Sequence, residues 1–247
     1  MLYYLILYLE QQYEPPGFQV IQFITVRAGL AAATALIIAL FVGRSIIRWL
    51  RRQQIGERVR EGKGAGVVSH AHKAGTPTMG GVIILMAILG GTLLWGAIAQ
   101  TYVWLAMLAT AWMGLVGFAD DYIKTVKKRK AGLPPLMKIA GQVTLGIVVG
   151  AVLYFTPAFA EFNSLTYVPF FKNRVLDYDV LSGWAGADLG WLIYIPVAVF
   201  IMTAVSNAVN LTDGLDGLTT GVTAFVSIGL VILAYVSGNT NLAAFLD

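Results

Sequence analysis

Two short strings in this sequence carry side chains able to do chemistry, and both lie where long apolar runs end. Asn207-Ala-Val-Asn-Leu-Thr-Asp-Gly-Leu-Asp-Gly-Leu218 sets two carboxylates and two carboxamides between the uncharged runs 189–205 and 218–236, and Asp120-Asp121-Tyr-Ile-Lys124 closes the run that starts at Thr101. Ionised groups at the edge of hydrocarbon are costly unless paired or facing a wet cavity, which makes Asp120, Asp121, Asp213 and Asp216 functional candidates. Adjacent carboxylates repel, and a helix C-terminus disfavours negative charge, so stability alone does not explain Asp120 and Asp121. Lys124 follows Asp120 by four residues and can partner it if the helix continues. A third string, Lys73-Ala-Gly-Thr-Pro-Thr-Met-Gly-Gly81, combines a cation with a helix start expected at Thr76-Pro77, and such a helix end attracts anions. Lys138, after the Pro134-Pro135 break, sits close to the hydrocarbon where a lipid phosphate would lie; a lysine snorkelling from a helix start is the alternative. Cations that hold a diphosphate, a magnesium ion that bridges its oxygens and a carboxylate that handles the nucleophile together make phosphoryl transfer. His70 and His72 could also touch phosphate or metal, although solvated loop histidines are the commoner case.

The elements that must position these residues are membrane helices. The chain is 57% hydrophobic and only 12% charged, with a mean hydropathy of +0.73, which places it among polytopic membrane proteins. It has no cysteine, which excludes disulfides and thiolate metal sites. Apolar runs predict six spans at about 22–47, 79–99, 101–119, 139–160, 189–207 and 218–237, each near the roughly 20 residues needed to cross hydrocarbon. Met1 to Leu9 is too short to span and reads as an interfacial segment, broken from the first span by Tyr13-Glu14-Pro15-Pro16-Gly17. The expected architecture is therefore all-α, a polytopic transmembrane bundle forming one integral membrane domain over residues 1–247. The segment 161–188 is long enough for its own hairpin or short helix.

Orientation follows from Lys and Arg. With the N-terminus outside, the inner segments 44–73 and 120–138 hold 14 of the 17 basic residues, leaving Arg27, Lys172 and Arg174 outside. The net charge of +4 is then topological, and nucleic-acid binding loses its main support. Lys127-Lys-Arg-Lys130 reads as a topology signal and an anchor to anionic membrane lipid. In this orientation all three polar strings share the inner face. A non-enzymatic transporter, the reading from a different class, would place its charges near mid-bilayer on broken helices instead.

The three strings, with Val168-Pro-Phe-Phe-Lys172, resemble the signatures of the phospho-N-acetylmuramoyl-pentapeptide transferase (MraY) family, within the polyprenyl-phosphate N-acetylhexosamine-1-phosphate transferase superfamily. The resemblance implies transfer of phospho-MurNAc-pentapeptide from its UDP carrier to undecaprenyl phosphate, giving lipid I and UMP with Mg2+ as cofactor, at the cytoplasmic face of a bacterial inner membrane. A related enzyme using a UDP-N-acetylhexosamine donor is the alternative within the superfamily. By the same resemblance Asp120, Asp121 and Lys124 are catalytic, and one aspartate deprotonates or orients the lipid phosphate, a covalent aspartyl route being the other option. Lys73, Lys124 and Lys138 bind phosphates, Thr78 and Asn207 contact substrate, Asn210 lies at the metal, and Asp213 and Asp216 line the nucleotide pocket. The implied partners are UDP-MurNAc-pentapeptide, undecaprenyl phosphate, anionic lipid and a second copy in a homodimer, with no nucleic acid. The family has about ten spans, with a further aspartate motif and a histidine-rich loop beyond the matching region. On that ground this chain alone is expected to lack a complete magnesium site and to be inactive.

Overall fold

The computed structural model describes residues 1–52, 79–129, 131–159, 165–167, 174–179, 182, 188–213 and 217–239. Seven α-helices order these residues: α1 (Leu2–Tyr13), α2 (Ile24–Arg52), α3 (Gly81–Trp95), α4 (Thr101–Thr125), α5 (Pro135–Phe155), α6 (Trp191–Thr212) and α7 (Leu218–Ser237). The chain divides into two compact units, Met1–Gly141 and Gln142–Asp247. Five helices, α2 and α4 to α7, are long and apolar enough to cross a bilayer. The protein is a multi-pass membrane protein of the all-α class.

In the first unit, α1 ends at Glu14, whose φ of 47° is left-handed, ahead of a 3-10 turn over Phe18–Gln22. The Gln22 amide donates to both Glu10 carboxylate oxygens, at 2.8 and 2.9 Å, and the Arg27 guanidinium lies 4.4 Å from the centre of the Tyr3 ring. The residues expected to break the chain at 13–17 do so. Between α2 and α3 the backbones come close enough that a Cβ at Gly91 would lie 2.7 Å from the Ala31 carbonyl oxygen. Small residues permit such contact, and in lipid it is close packing rather than expulsion of water that holds helices together. Trp95 Nε1–H donates to Thr34 Oγ1 at 2.8 Å, adding a polar tie between the same two helices.

The run expected to span 79–99 is shorter as a helix. Met79 has a left-handed φ of 69°, and α3 opens at Gly81 with Gly80 as its cap, while the start expected at Thr76-Pro77 lies outside the described residues. At the other end Gly96 turns extended (ψ 153°), leaving 15 helical residues. These rise about 22 Å, against a hydrocarbon thickness of about 30 Å, so the second of the six expected spans is an apolar helix shorter than the five long ones.

In the second unit, α5 and α6 approach through two glycines. A Cβ at Gly146 would sit 2.6 Å from Val199 Cα, and one at Gly150 would sit 3.3 Å from Ile195 Cα. Leu145 is the most deeply buried apolar residue beside this contact. The segment between α5 and α6 carries the anticipated hairpin, with β1 (Leu165–Tyr167) antiparallel to β2 (Val175–Asp177) and Thr166 opposite Leu176. The connection is tied back polarly: the Tyr154 hydroxyl donates to Asp188, Ser182 Oγ donates to Asp179 Oδ1 at 3.2 Å, and the Leu189 N–H donates to Ser182 Oγ at 2.9 Å.

Candidate active site

The helix α4 does not stop where its apolar run ends at Ala119. The helix continues to Thr125, which places Asp120, Asp121 and Lys124 on its last turns. Lys124 therefore reaches Asp120 one turn back, and its Nζ donates to Asp120 Oδ2 at 2.6 Å. After Thr125 the chain folds back along a tight path. Lys128 adopts a left-handed φ of 53° and Gly132 one of 67°, and the turn closes with the Leu133 N–H donating to Asp120 Oδ1 at 2.7 Å. Pro135 then opens α5 at the first helical position, where its fixed φ fits and its missing N–H costs nothing. Lys138, in the first turn of α5, brings Nζ to 3.0 Å from the same Oδ1.

Asp120 is thus held by two cations and one backbone donor, with its side chain only 13% exposed. Asp121, its neighbour, is half-buried, and among the described residues nothing pairs with its carboxylate. The two adjacent acids are therefore not equivalent. Asp120 organises the lysines, while Asp121 keeps a carboxylate open to a ligand. Lys124 and Lys138 remain 43% and 34% exposed, so each retains N–H groups that can turn to an incoming phosphate. Gly132 belongs to this arrangement through its backbone: a Cβ there would lie 2.4 Å from Asp120 Oδ1 and 2.6 Å from Lys124 Cε.

In the second unit α6 runs on to Thr212, so Asn207 and Asn210 stand on helix rather than in a turn, three residues apart on one face. Asn207 Nδ2 donates to the Thr203 carbonyl at 2.8 Å and to Gln142 Oε1 at 3.0 Å. Asn210 is exposed. Asp213 caps the end of α6, and Thr219 Oγ1, in the first turn of α7, donates to its Oδ1 at 3.3 Å. Gly217, with a φ of 81°, caps the start of α7 at the position expected. Lys73, Thr78 and Asp216, together with His70 and His72, lie outside the described residues.

Among the described residues no group of three His, Cys, Asp or Glu side chains is placed to hold a metal. Magnesium does not require one. It keeps several waters and takes one or two protein carboxylates with substrate phosphates. In the second unit the exposed amide oxygen of Asn210, which has no ion pair among the described residues, suits it chemically.

Leu133, Gly132 and Gln142 contribute to these arrangements and carry no sequence signal as functional residues. Only Gln142 could have drawn notice, as a lone polar residue inside an otherwise apolar run.

Fold and site together define a multi-pass helical membrane protein with a carboxylate clamped by two lysines beside a second that has no partner among the described residues. The chain belongs to glycosyl transferase family 4, whose model matches residues 103–246, and residues 73–85 match the first signature of phospho-N-acetylmuramoyl-pentapeptide-transferases. Among curated relatives, a phospho-N-acetylmuramoyl-pentapeptide-transferase of Salinibacter ruber is 67% identical, covering 100% of this chain and 64% of its own length. Proteins of the same name from Chloroherpeton thalassium and Flavobacterium johnsoniae are 48% and 43% identical over 100% of this chain and 63% and 67% of their own lengths. The chain therefore spans less than two thirds of the length of the Salinibacter and Chloroherpeton relatives.

Proposed function

We propose that this chain carries most of the active site of a transferase that moves phospho-MurNAc-pentapeptide from UDP-MurNAc-pentapeptide to undecaprenyl phosphate, releasing UMP and forming lipid I at the cytoplasmic face of a bacterial inner membrane. The observation that carries this reading is the unequal state of Asp120 and Asp121 beside Lys124 and Lys138. A phosphate monoester arriving at the membrane surface would draw the exposed faces of Lys124 and Lys138, which point charge at one spot without neutralising it fully. Asp121, which has no partner among the described residues, takes the proton of that phosphate or orients it by hydrogen bonding. The lipid phosphate oxygen then attacks the sugar-linked phosphorus of the donor, and the bond to UMP breaks. Magnesium, when bound, would spread the charge of the diphosphate. Asn210 is the residue that would hold it. Asp213 and Asn207 would meet the nucleotide-sugar, in keeping with the names of the relatives.

The test is UMP release from UDP-MurNAc-pentapeptide by the full-length protein in detergent with undecaprenyl phosphate, with Mg2+ and with EDTA. Activity that requires Mg2+ and disappears in Asp121→Asn is expected. A protein that neither binds the UDP-sugar nor releases UMP would rule the transferase out, and release of UMP from UDP-N-acetylhexosamine in preference would move it to the related branch.

A further inference from the structure

Gln142 is buried on α5, with 7% of its surface exposed, and is the one polar side chain in the core among the described residues. A primary amide in an apolar helix pair is costly unless its donors and acceptor are matched. Here they are matched in one direction only. The Thr203 carbonyl can only accept, so the Asn207 side chain must turn its Nδ2 toward it, at 2.8 Å. The second Nδ2 hydrogen then falls to Gln142, which must present Oε1, at 3.0 Å. That leaves Gln142 Nε2 to donate to Ser206 Oγ, also at 3.0 Å. A single backbone carbonyl thus fixes the orientation of two amides in sequence. Both Asn207 hydrogens are consumed inside the protein, while the residue itself is exposed and no described residue donates to its Oδ1.

We infer that Gln142 is a positioning residue that locks Asn207 as a hydrogen-bond acceptor only, so that Asn207 meets a neutral N–H or O–H donor of the nucleotide-sugar and not its phosphates. This rests on the transferase reading for the identity of the ligand, while the lock itself is a property of the unliganded protein. An amide free to flip would accept or donate according to the ligand; an amide held on two sides rejects an acceptor by leaving it unpaired.

The experiment uses three Gln142 and Asn207 variants of the full-length protein in detergent, with two readouts. Gln142→Met keeps the volume and removes the acceptor. Gln142→Glu keeps an acceptor for Asn207 Nδ2, and the Ser206 hydroxyl can reverse and donate to it. Without ligand, Gln142→Met and Asn207→Ala should lower Tm by less together than the sum of their separate effects. For UDP-MurNAc-pentapeptide binding, Gln142→Met should raise Kd about tenfold, the scale of one lost hydrogen bond. Gln142→Glu should restore most of that, and Gln142→Met should add nothing in the Asn207→Ala background. The ratio of mutant to wild-type Kd should be the same in Mg2+ and in EDTA.

A wild-type protein that binds the UDP-sugar, with additive Tm and Kd effects, would overturn the lock while sparing the transferase. A mutant effect on Kd that vanishes in EDTA would also overturn it, by assigning Asn207 Oδ1 to the metal. A wild-type protein with no affinity for the UDP-sugar would remove the transferase reading and, with it, the ligand assigned to Asn207; the Tm cycle would then decide the lock alone.

Discussion

Asp120 and Lys138 meet at 3.0 Å although each stands at the unfavourable end of its own helix. Asp120 lies in the last turns of α4, where exposed carbonyls repel a negative charge, and Lys138 lies in the first turn of α5, where exposed N–H groups repel a positive one. Each misplaced charge offsets the other, at about 0.3–1 kcal/mol per helix end. The pair holds the α4–α5 turn closed, and it does so with groups that a phosphate could also engage.

Asp120→Asn and Asp121→Asn should therefore separate stability from activity. Removing the charge of Asp120 weakens two ion pairs, and because both lysines are substantially exposed the loss should be near 1 kcal/mol, not several. Asp121→Asn should leave unfolding within about 0.5 kcal/mol of wild type, yet lower UMP release at least a hundredfold, the range for a lost general base. Thermal unfolding in detergent, measured beside UMP release, checks both. Equal destabilisation by the two variants would mean that the division of roles is wrong.

Gly132→Ala should disturb the site without replacing any functional side chain. The left-handed φ of 67° costs an L-residue roughly 1–2 kcal/mol, and the added Cβ would lie 2.4 Å from Asp120 Oδ1. Asp120 must move, and Lys124 with it. UMP release should fall about tenfold or more with a modest drop in Tm, and a Gly132→Ala enzyme with wild-type kcat and KM would show that the Leu133 N–H contact is dispensable.

Lys128→Gly should act in the opposite direction. Lys128 is exposed and holds a φ of 53°, which glycine adopts freely, so the substitution should stabilise the protein by up to about 1 kcal/mol. The basic run around it loses one charge, and UMP release should be unchanged. A lower Tm would point to a role for the Lys128 ammonium in holding the turn.

Gly146→Leu should be among the most damaging single changes in the second unit. The position offers no room, with Val199 Cα 2.6 Å from where a Cβ would sit, and overpacking of this kind costs typically 1–3 kcal/mol or more when backbone must shift. Loss of folded protein on size-exclusion chromatography in detergent is the expected result; a well-folded Gly146→Leu protein would show that α5 and α6 can separate at little cost.

Hydropathy and basic-residue counts made the membrane class and the long helices legible, because lipid punishes charge and unpaired backbone so heavily that composition alone reveals a span. The Asp120–Lys124 pair was legible from its four-residue spacing. The shortness of α3 was not, since it turns on the backbone of Met79 and Gly96, residues as apolar or neutral as their neighbours. Nor was the extension of α6 beyond Asn207 to Thr212, since Asn210 and Thr212 have low helix propensity and suggest a turn. The Leu133 N–H reaching Asp120 is a backbone contact across a turn, and no residue type announces it.

The two glycine notches between α5 and α6 have a mechanical consequence. With Gly146 seated against the Val199 backbone and Gly150 against Ile195, sliding one helix past the other by a turn would drive a larger residue into each notch. The pair can only travel as a single stiff lever. Force applied to one of the two helices is therefore passed to the other along their shared length, and not dissipated by slippage between them.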